Sequence, residues 1–232
     1  MGIKGIVKIL PDPKSVDPDE YVNKTILVDT SIFLYKYIYG YKENFLNGFK
    51  SLIKNWKKSN LIFIFDGPPP ELKLKLLQKR KETRDSKEND DSTKILITKE
   101  IILELKEFFD KNNIKWETAP GEAEKYASQY PDMYAVLTND LDAFLFGCKK
   151  IIRNLKGTEY QEYDISIILS ELNLDFDQFL ELAIACGTDY YLEGLKGFGP
   201  KKGLKFLLEN KTFGDLKTLE FLEAEKEFKR KE

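Results

Sequence analysis

A chain of 232 residues, 42% hydrophobic and 13% aromatic, is long enough for one sizeable α/β core with a small appended subdomain, and 37 basic against 39 acidic residues leave a formal charge of −2. No apolar run nears the roughly 20 residues that cross a bilayer, the start Met1-Gly2-Ile3-Lys4 lacks a secretory layout, Ile6 breaks a myristoylation signal, and Cys148 and Cys186 form no Cys-x-x-Cys pair. Histidine is absent, which removes the commonest general base and the commonest transition-metal ligand together. The expectation is an intracellular protein without a membrane partner, whose chemistry rests on carboxylates, lysines or metals held by oxygen.

Gly2 to Leu10 reads as a short amphipathic helix, stopped by a loop from Pro11 to Tyr21 that carries three prolines. A strand begins near Thr25 and ends in Asp29. Ser31 is placed to cap a helix through Tyr39, and apolar residues at Phe45, Phe49, Leu52, Ile53 and Trp56 predict a second helix. The strand Leu61 to Phe65 ends in Asp66, and Pro68-Pro69-Pro70 forces an extended exit. Glu71 to Lys87 is predicted helical and strongly basic, and the polar stretch Glu88 to Thr93 reads as a tip. A helix from Thr98 to Lys111 precedes a strand at Ile114 to Glu117, and Pro120 introduces a helix over Gly121 to Gln129 with Glu122 and Glu124 near its start.

The apolar run Tyr134 to Leu137 leads directly into Asp140 and Asp142. Ile151 to Arg153 and Tyr160 to Tyr163 look like short strands around a turn at Lys156-Gly157-Thr158. Asp164 caps a helix to Leu172, Asp175 begins another over Phe176 to Cys186, and Asp189 follows it. Gly194 to Gly203 is a glycine-rich turn leading into a lysine-bearing helix, and Glu220 to Glu232 is a charged helix or a frayed end.

Open α/β sheets carry their sites just beyond the carboxyl ends of their strands. Asp29, Asp66, Glu122, Glu124, Asp140, Asp142 and Asp189 all fall where one sheet edge can gather them. Carboxylates gathered without His or Cys suit Mg2+ or Mn2+, and two such ions about 4 Å apart suit phosphodiester hydrolysis. With these seven neutralised, 37 bases face the 32 acids left from 39, a surface open to a polyanion. The basic helix one loop after Asp66 is placed to grip the phosphate being cut. Gly197-Phe198-Gly199-Pro200-Lys201-Lys202 exposes backbone amides at a helix start, a means of holding DNA phosphates without reading bases. Tyr35, six residues past Asp29, is placed to stack on a nucleobase.

Met1 to Gly5, Val28-Asp29-Thr30-Ser31, Phe65-Asp66-Gly67, Gly121-Glu122-Ala123-Glu124, Thr138-Asn139-Asp140-Leu141-Asp142, Gly187-Thr188-Asp189-Tyr190 and Gly197 to Lys201 together resemble the structure-specific 5′ nucleases, and the flap endonucleases most closely. The resemblance implies a twisted, mostly parallel sheet flanked by helices, the PIN-like fold, with a core at 1–163 that includes a basic arch-like segment at 67–98. A helical DNA-binding subdomain at 164–232 would pack on it. It implies that the seven acids hold two metal ions and that Lys73 and Arg80 act with Asp29 and Asp66 in catalysis. Tyr35, Gly2, Gly197, Gly199, Lys201 and Lys202 would contact DNA, with a potassium ion at the glycine hairpin.

The function so implied is divalent-metal-dependent hydrolysis of DNA with a 5′ flap, branch or free end, in a nucleus or a DNA-replication compartment such as a viral one. A 5′ to 3′ exonuclease or RNase using the same acids is the related alternative, and a noncatalytic junction-binding module is the rival of another class. The segments between Tyr35 and Leu61 and between Arg80 and Thr98 are short for the family, and no aromatic-ended sliding-clamp motif stands in the sequence.

Overall fold

The computed structural model describes residues 2–74, 77, 78, 97–156 and 159–229. A seven-stranded sheet runs through it: β1 (Lys14–Val16), β2 (Thr25–Asp29), β3 (Asn60–Phe65), β4 (Lys115–Thr118), β5 (Met133–Leu137), β6 (Lys150–Lys156) and β7 (Glu159–Asp164), in the spatial order β1-β7-β6-β5-β2-β3-β4. The five strands from β4 to β6 are mutually parallel, β7 pairs antiparallel with β6, and β1 pairs antiparallel with β7, so that it runs in the direction of the five. The mostly parallel α/β sheet expected from the sequence is the sheet observed.

The central strands β2, β3 and β5 read as largely apolar runs because both faces are covered. Ile26, Val28, Phe63, Phe65, Ala135 and Leu137 turn to one side, onto α1 (Thr30–Tyr41), α2 (Leu46–Asn55) and α3 (Lys99–Lys111). Leu27, Ile62, Ile64, Val136 and Ile151 turn to the other, onto α4 (Ala123–Ser128), α5 (Ile165–Leu172), α6 (Phe176–Cys186), α7 (Pro200–Asn210) and α8 (Leu219–Lys229). The side-chain period of two thus divides each strand between two cores.

Three local expectations change. The N-terminal stretch forms only a 3-10 turn at Ile6–Lys8, because Gly2 and Gly5 take positive φ of 73° and 67°, outside the helical region. The proline-rich loop carries β1, which pairs with β7 from Lys14 opposite Glu162 to Val16 opposite Tyr160. The first helix is capped by Asp29, whose carboxylate accepts from the Ile32 amide at 3.3 Å, so Ser31 lies inside it. Of the basic helix, residues 71–74, 77 and 78 are helical, and the remainder to Lys87, with the polar tip, lies outside the described residues. The tail is helical over Leu219–Lys229 and buries Phe221, Ala224 and Phe228.

Strand order fixes where a site can form. From β2 the chain steps outward to β3 and β4, then returns to the other side of β2 for β5 and β6. β2 and β5 flank the point where the winding reverses, and the crevice beyond their carboxyl ends is where open α/β sheets bind ligands.

Candidate active site

Asp29 stands at the end of β2, 3% exposed, and holds two donors: the Ile32 amide and the Thr138 hydroxyl at 2.8 Å. Thr138 follows β5 and also accepts from the Asp140 amide at 3.2 Å, so one hydroxyl joins the ends of the two central strands. Asp140 then accepts from the Asp142 amide at 2.9 Å, starting the 3-10 turn Leu141–Phe144. On the outer side Asp66 ends β3 and accepts from the Ala123 amide at 2.9 Å, setting the start of α4 and with it Glu122 and Glu124. Gly67 lets the chain leave β3 there: a Cβ at this position would stand 2.3 Å from the Ala119 carbonyl. Asp189 is brought in after α6, which Gly187 ends with a φ of 102°.

Burial and mutual repulsion push four of these acids, Asp29, Glu122, Glu124 and Asp142, upward. The Asp29 carboxyl is raised to about 7 by burial, with Asp66 and Asp140 adding to it. Glu124 is raised well above the carboxylate range by burial and then by Asp29, Asp66 and Asp140. Asp142 is raised likewise by burial and then by Asp140 and Asp189. Burial also raises Glu122, against the pull of Lys73. Each acid feels several others, so the seven belong to one electrostatic cluster.

Among the described residues no three carboxylates close tightly enough on one point to form a finished coordination shell. Lys73 stands among them instead, ion-paired with Glu122 and 3.5 Å from Asp189. Burial lowers its ammonium, but Glu122 and then Asp189 more than offset this and raise it. The cluster fits hard cations on its own evidence: the donors are all oxygen, the acids repel one another, and the buried Asp142 Oδ1 has no hydrogen-bond partner.

Residues 1–87 match the XPG N-terminal domain and residues 113–189 the XPG I-region. Flap endonuclease 1 of Encephalitozoon cuniculi is 30% identical over 267 residues, which span 97% of this chain and 77% of that protein. The chain belongs to the flap endonuclease family. The catalytic core of Rad2 in complex with DNA substrate superposes with a TM-score of 0.77 at 30% identity, over 91% of this chain and 70% of that one. The Holliday junction-resolving enzyme GEN1 in complex with product DNA and a Mg2+ ion shares the fold at a TM-score of 0.67 and 18% identity, over 96% of this chain and 55% of that one.

In this flap endonuclease family member the N-terminal segment joins the acids to the hairpin. A Cβ on Gly2 would lie 2.2 Å from Asp140 Oδ1, the Lys4 amide donates to the Gly187 carbonyl at 3.0 Å, and Gly5 abuts Pro200. Gly197 takes a φ of 83°, and Gly199 precedes α7 with Pro200 at its first position. Phe198 anchors the turn, 5.2 Å from the Phe206 and Phe213 rings, and Lys202 lies 5.0 Å over the Phe198 ring. Lys201 and Lys202 are exposed. Tyr35 is 48% exposed on α1, while Arg80 lies outside the described residues. Sequence reasoning quoted Thr138 and Tyr190 within their motifs but gave them no role; Thr138 donates to Asp29, and the Tyr190 hydroxyl donates to Glu122 from the far side of the site.

Proposed function

We propose that this member of the flap endonuclease family hydrolyses phosphodiesters in DNA carrying a 5′ flap, branch or free end. One observation carries the assignment: seven carboxylates form one electrostatic cluster beside the winding reversal of a parallel sheet, and among the described residues the buried Asp142 Oδ1 lacks a hydrogen-bond partner. Asp29, Asp66, Glu122, Glu124, Asp140, Asp142 and Asp189 would hold two Mg2+ or Mn2+ ions. Such ions supply Lewis-acid charge and a water of lowered pKa. Thr138 keeps Asp29 and Asp140 at a fixed spacing, and Gly2 leaves the space beside Asp140 open.

Lys73, released from Glu122 and Asp189, would present its ammonium to the scissile phosphate, with Arg80 beside it. Residues 164–232 would act as the DNA-holding subdomain. Lys201, Lys202 and the backbone at Gly197 and Gly199 grip duplex phosphates with a potassium ion, while Tyr35 stacks on a base. The place of action is a nucleus or another DNA-replication compartment; among the described residues no helix is long and apolar enough to cross a membrane.

The test is incubation of the purified protein with Mg2+ and end-labelled flap, nicked, blunt and single-stranded DNA, alongside an RNA flap. Cutting near the branch, abolished by EDTA, is the expected result. Tight junction binding without cutting at any Mg2+ concentration would reduce the chain to a binding module. Preferential cutting of the RNA flap would reassign its substrate.

A further inference from the structure

The first helix carries four tyrosines at alternate positions, and only half of them serve the fold. Tyr37 packs edge-on against Phe49 at 5.0 Å and meets Tyr41 at 6.1 Å, on the side that faces α2. At about 100° per residue, Tyr35 and Tyr39 lie about 40° apart from each other and on the side opposite Tyr37. They are 48% and 55% exposed, and neither ring has an aromatic or hydrogen-bonding partner among the described residues. Lys36 lies about 60° round from Tyr39, its Nζ donating to the Asn154 carbonyl at 2.9 Å, and Gly40 lies further round, about 60° from Tyr37. Gly40 is exposed, and a Cβ there would meet nothing within 4 Å. A glycine inside a helix costs stability relative to alanine. Among the described residues nothing packs against Gly40, which leaves the flank between Tyr39 and Tyr37 without a side chain at that position.

We infer that Tyr35 and Tyr39 form a two-ring clamp for one unpaired nucleobase of the branched DNA substrate, with Tyr39 the specificity-determining second ring. Four residues of helix rise about 6 Å. A base between two rings needs two stacking gaps of about 3.4 Å each, the spacing of stacked bases along a strand. The helix is the one that Asp29 caps, so the clamp sits on the element that starts at the acids, with Tyr35 on its second turn and Tyr39 one turn further on. Both ring faces would be removed from water by a flat, sequence-indifferent partner, which is what a nucleobase offers and a phosphate does not. The inference rests on the nuclease assignment and on the stacking proposed above for Tyr35, and what it adds is Tyr39 as the second ring.

Flap oligonucleotides carrying 2-aminopurine at each unpaired position in turn, bound in Ca2+ to the wild type, Y35A, Y39A and Y39W, provide the test. The clamp predicts one position whose fluorescence is quenched by the wild type, released by either alanine variant and restored by Y39W. Affinity for that flap should fall about fivefold to a hundredfold in Y39A, from the ~1–3 kcal/mol measured per stacked base. The same substitution should leave affinity for a nicked duplex without unpaired bases unchanged. Quenching that depends on Tyr35 and is indifferent to residue 39 overturns the clamp and leaves a single-ring platform. Wild type that cuts flaps with no quenched position overturns the subsite while the nuclease assignment stands. Wild type that neither binds nor cuts branched DNA removes both together.

Discussion

The hydroxyl of Thr138 joins two strand ends through Asp29 and Asp140, and its loss leaves the buried Asp29 Oδ2 without its donor. Thr138→Val keeps the volume and removes both bonds. Expected are a loss of about 1–3 kcal/mol in urea unfolding and a weaker affinity for Mn2+ read by electron paramagnetic resonance; unchanged Mn2+ affinity would make the bridge purely structural. Asp142→Ala and Asp140→Asn should each abolish flap cleavage and leave duplex affinity nearly intact, because acids in the proposed role would hold cations and would not attract phosphate. Either variant cutting at the wild-type rate in Mg2+ would strike that residue from the metal set. Lys73→Ala should lower the single-turnover rate by about 10²–10³-fold, the scale set by removing one donor aimed at developing charge, with only a small change in affinity. Equal losses in rate and affinity would make Lys73 a simple phosphate clamp.

At the scale of the element, α7 and the turn before it are proposed to hold DNA without reading sequence. Lys201 and Lys202 are exposed at the start of the helix. Replacing both by Ala should weaken duplex binding alike for every sequence. It should also flatten the slope of log affinity against log salt by about 1.8, at roughly 0.9 per contact. An unchanged slope in titrations across several salt concentrations would take the two lysines off the DNA surface. Helix α1 yields a prediction of opposite sign. Gly40→Ala fills empty space on an exposed helix position, so it should stabilise the fold by about 1 kcal/mol, measured by urea unfolding of the free protein.

Across the whole molecule, the buried acids make stability depend on pH and metal together. Asp29 is raised from 3.8 to about 7 in the fold. Between those values the native state holds more protons than the unfolded chain, and stability falls as pH rises. Metal-free wild type should therefore lose stability between about pH 4 and pH 7 more steeply than Asp29→Asn does. Mg2+ added at pH 7.5 should recover the loss; parallel urea titrations of the two proteins read it directly, and identical pH profiles would deny Asp29 its raised value. The far side of the site depends on α8, where Phe228 packs edge-on 4.9 Å from the Tyr190 ring and Glu227 pairs with the buried Lys125 at 3.1 Å. Phe228→Ala should cost about 3–5 kcal/mol, tying a helix distant in sequence to the setting of Glu122.

By itself the sequence determined which strands end in acid, because an apolar run followed by Asp is local information, and for the same reason it placed α5 and α6 behind their caps, Asp164 and Asp175. Lacking histidine, it also restricted the donors available to a metal to oxygen and two cysteines, which underlies the proposed hard-metal site. It misplaced the N-terminal helix and the cap of α1, because glycine φ and the choice between Asp29 and Ser31 are settled by neighbours far along the chain. Only the tertiary structure decided that β2 and β5 are adjacent, since strand order is a matter of long-range pairing with no local signature. Only it placed Lys73 among the acids, Tyr190 on Glu122, and Gly2 against Asp140, contacts between residues 49 to 138 positions apart that only folding brings together.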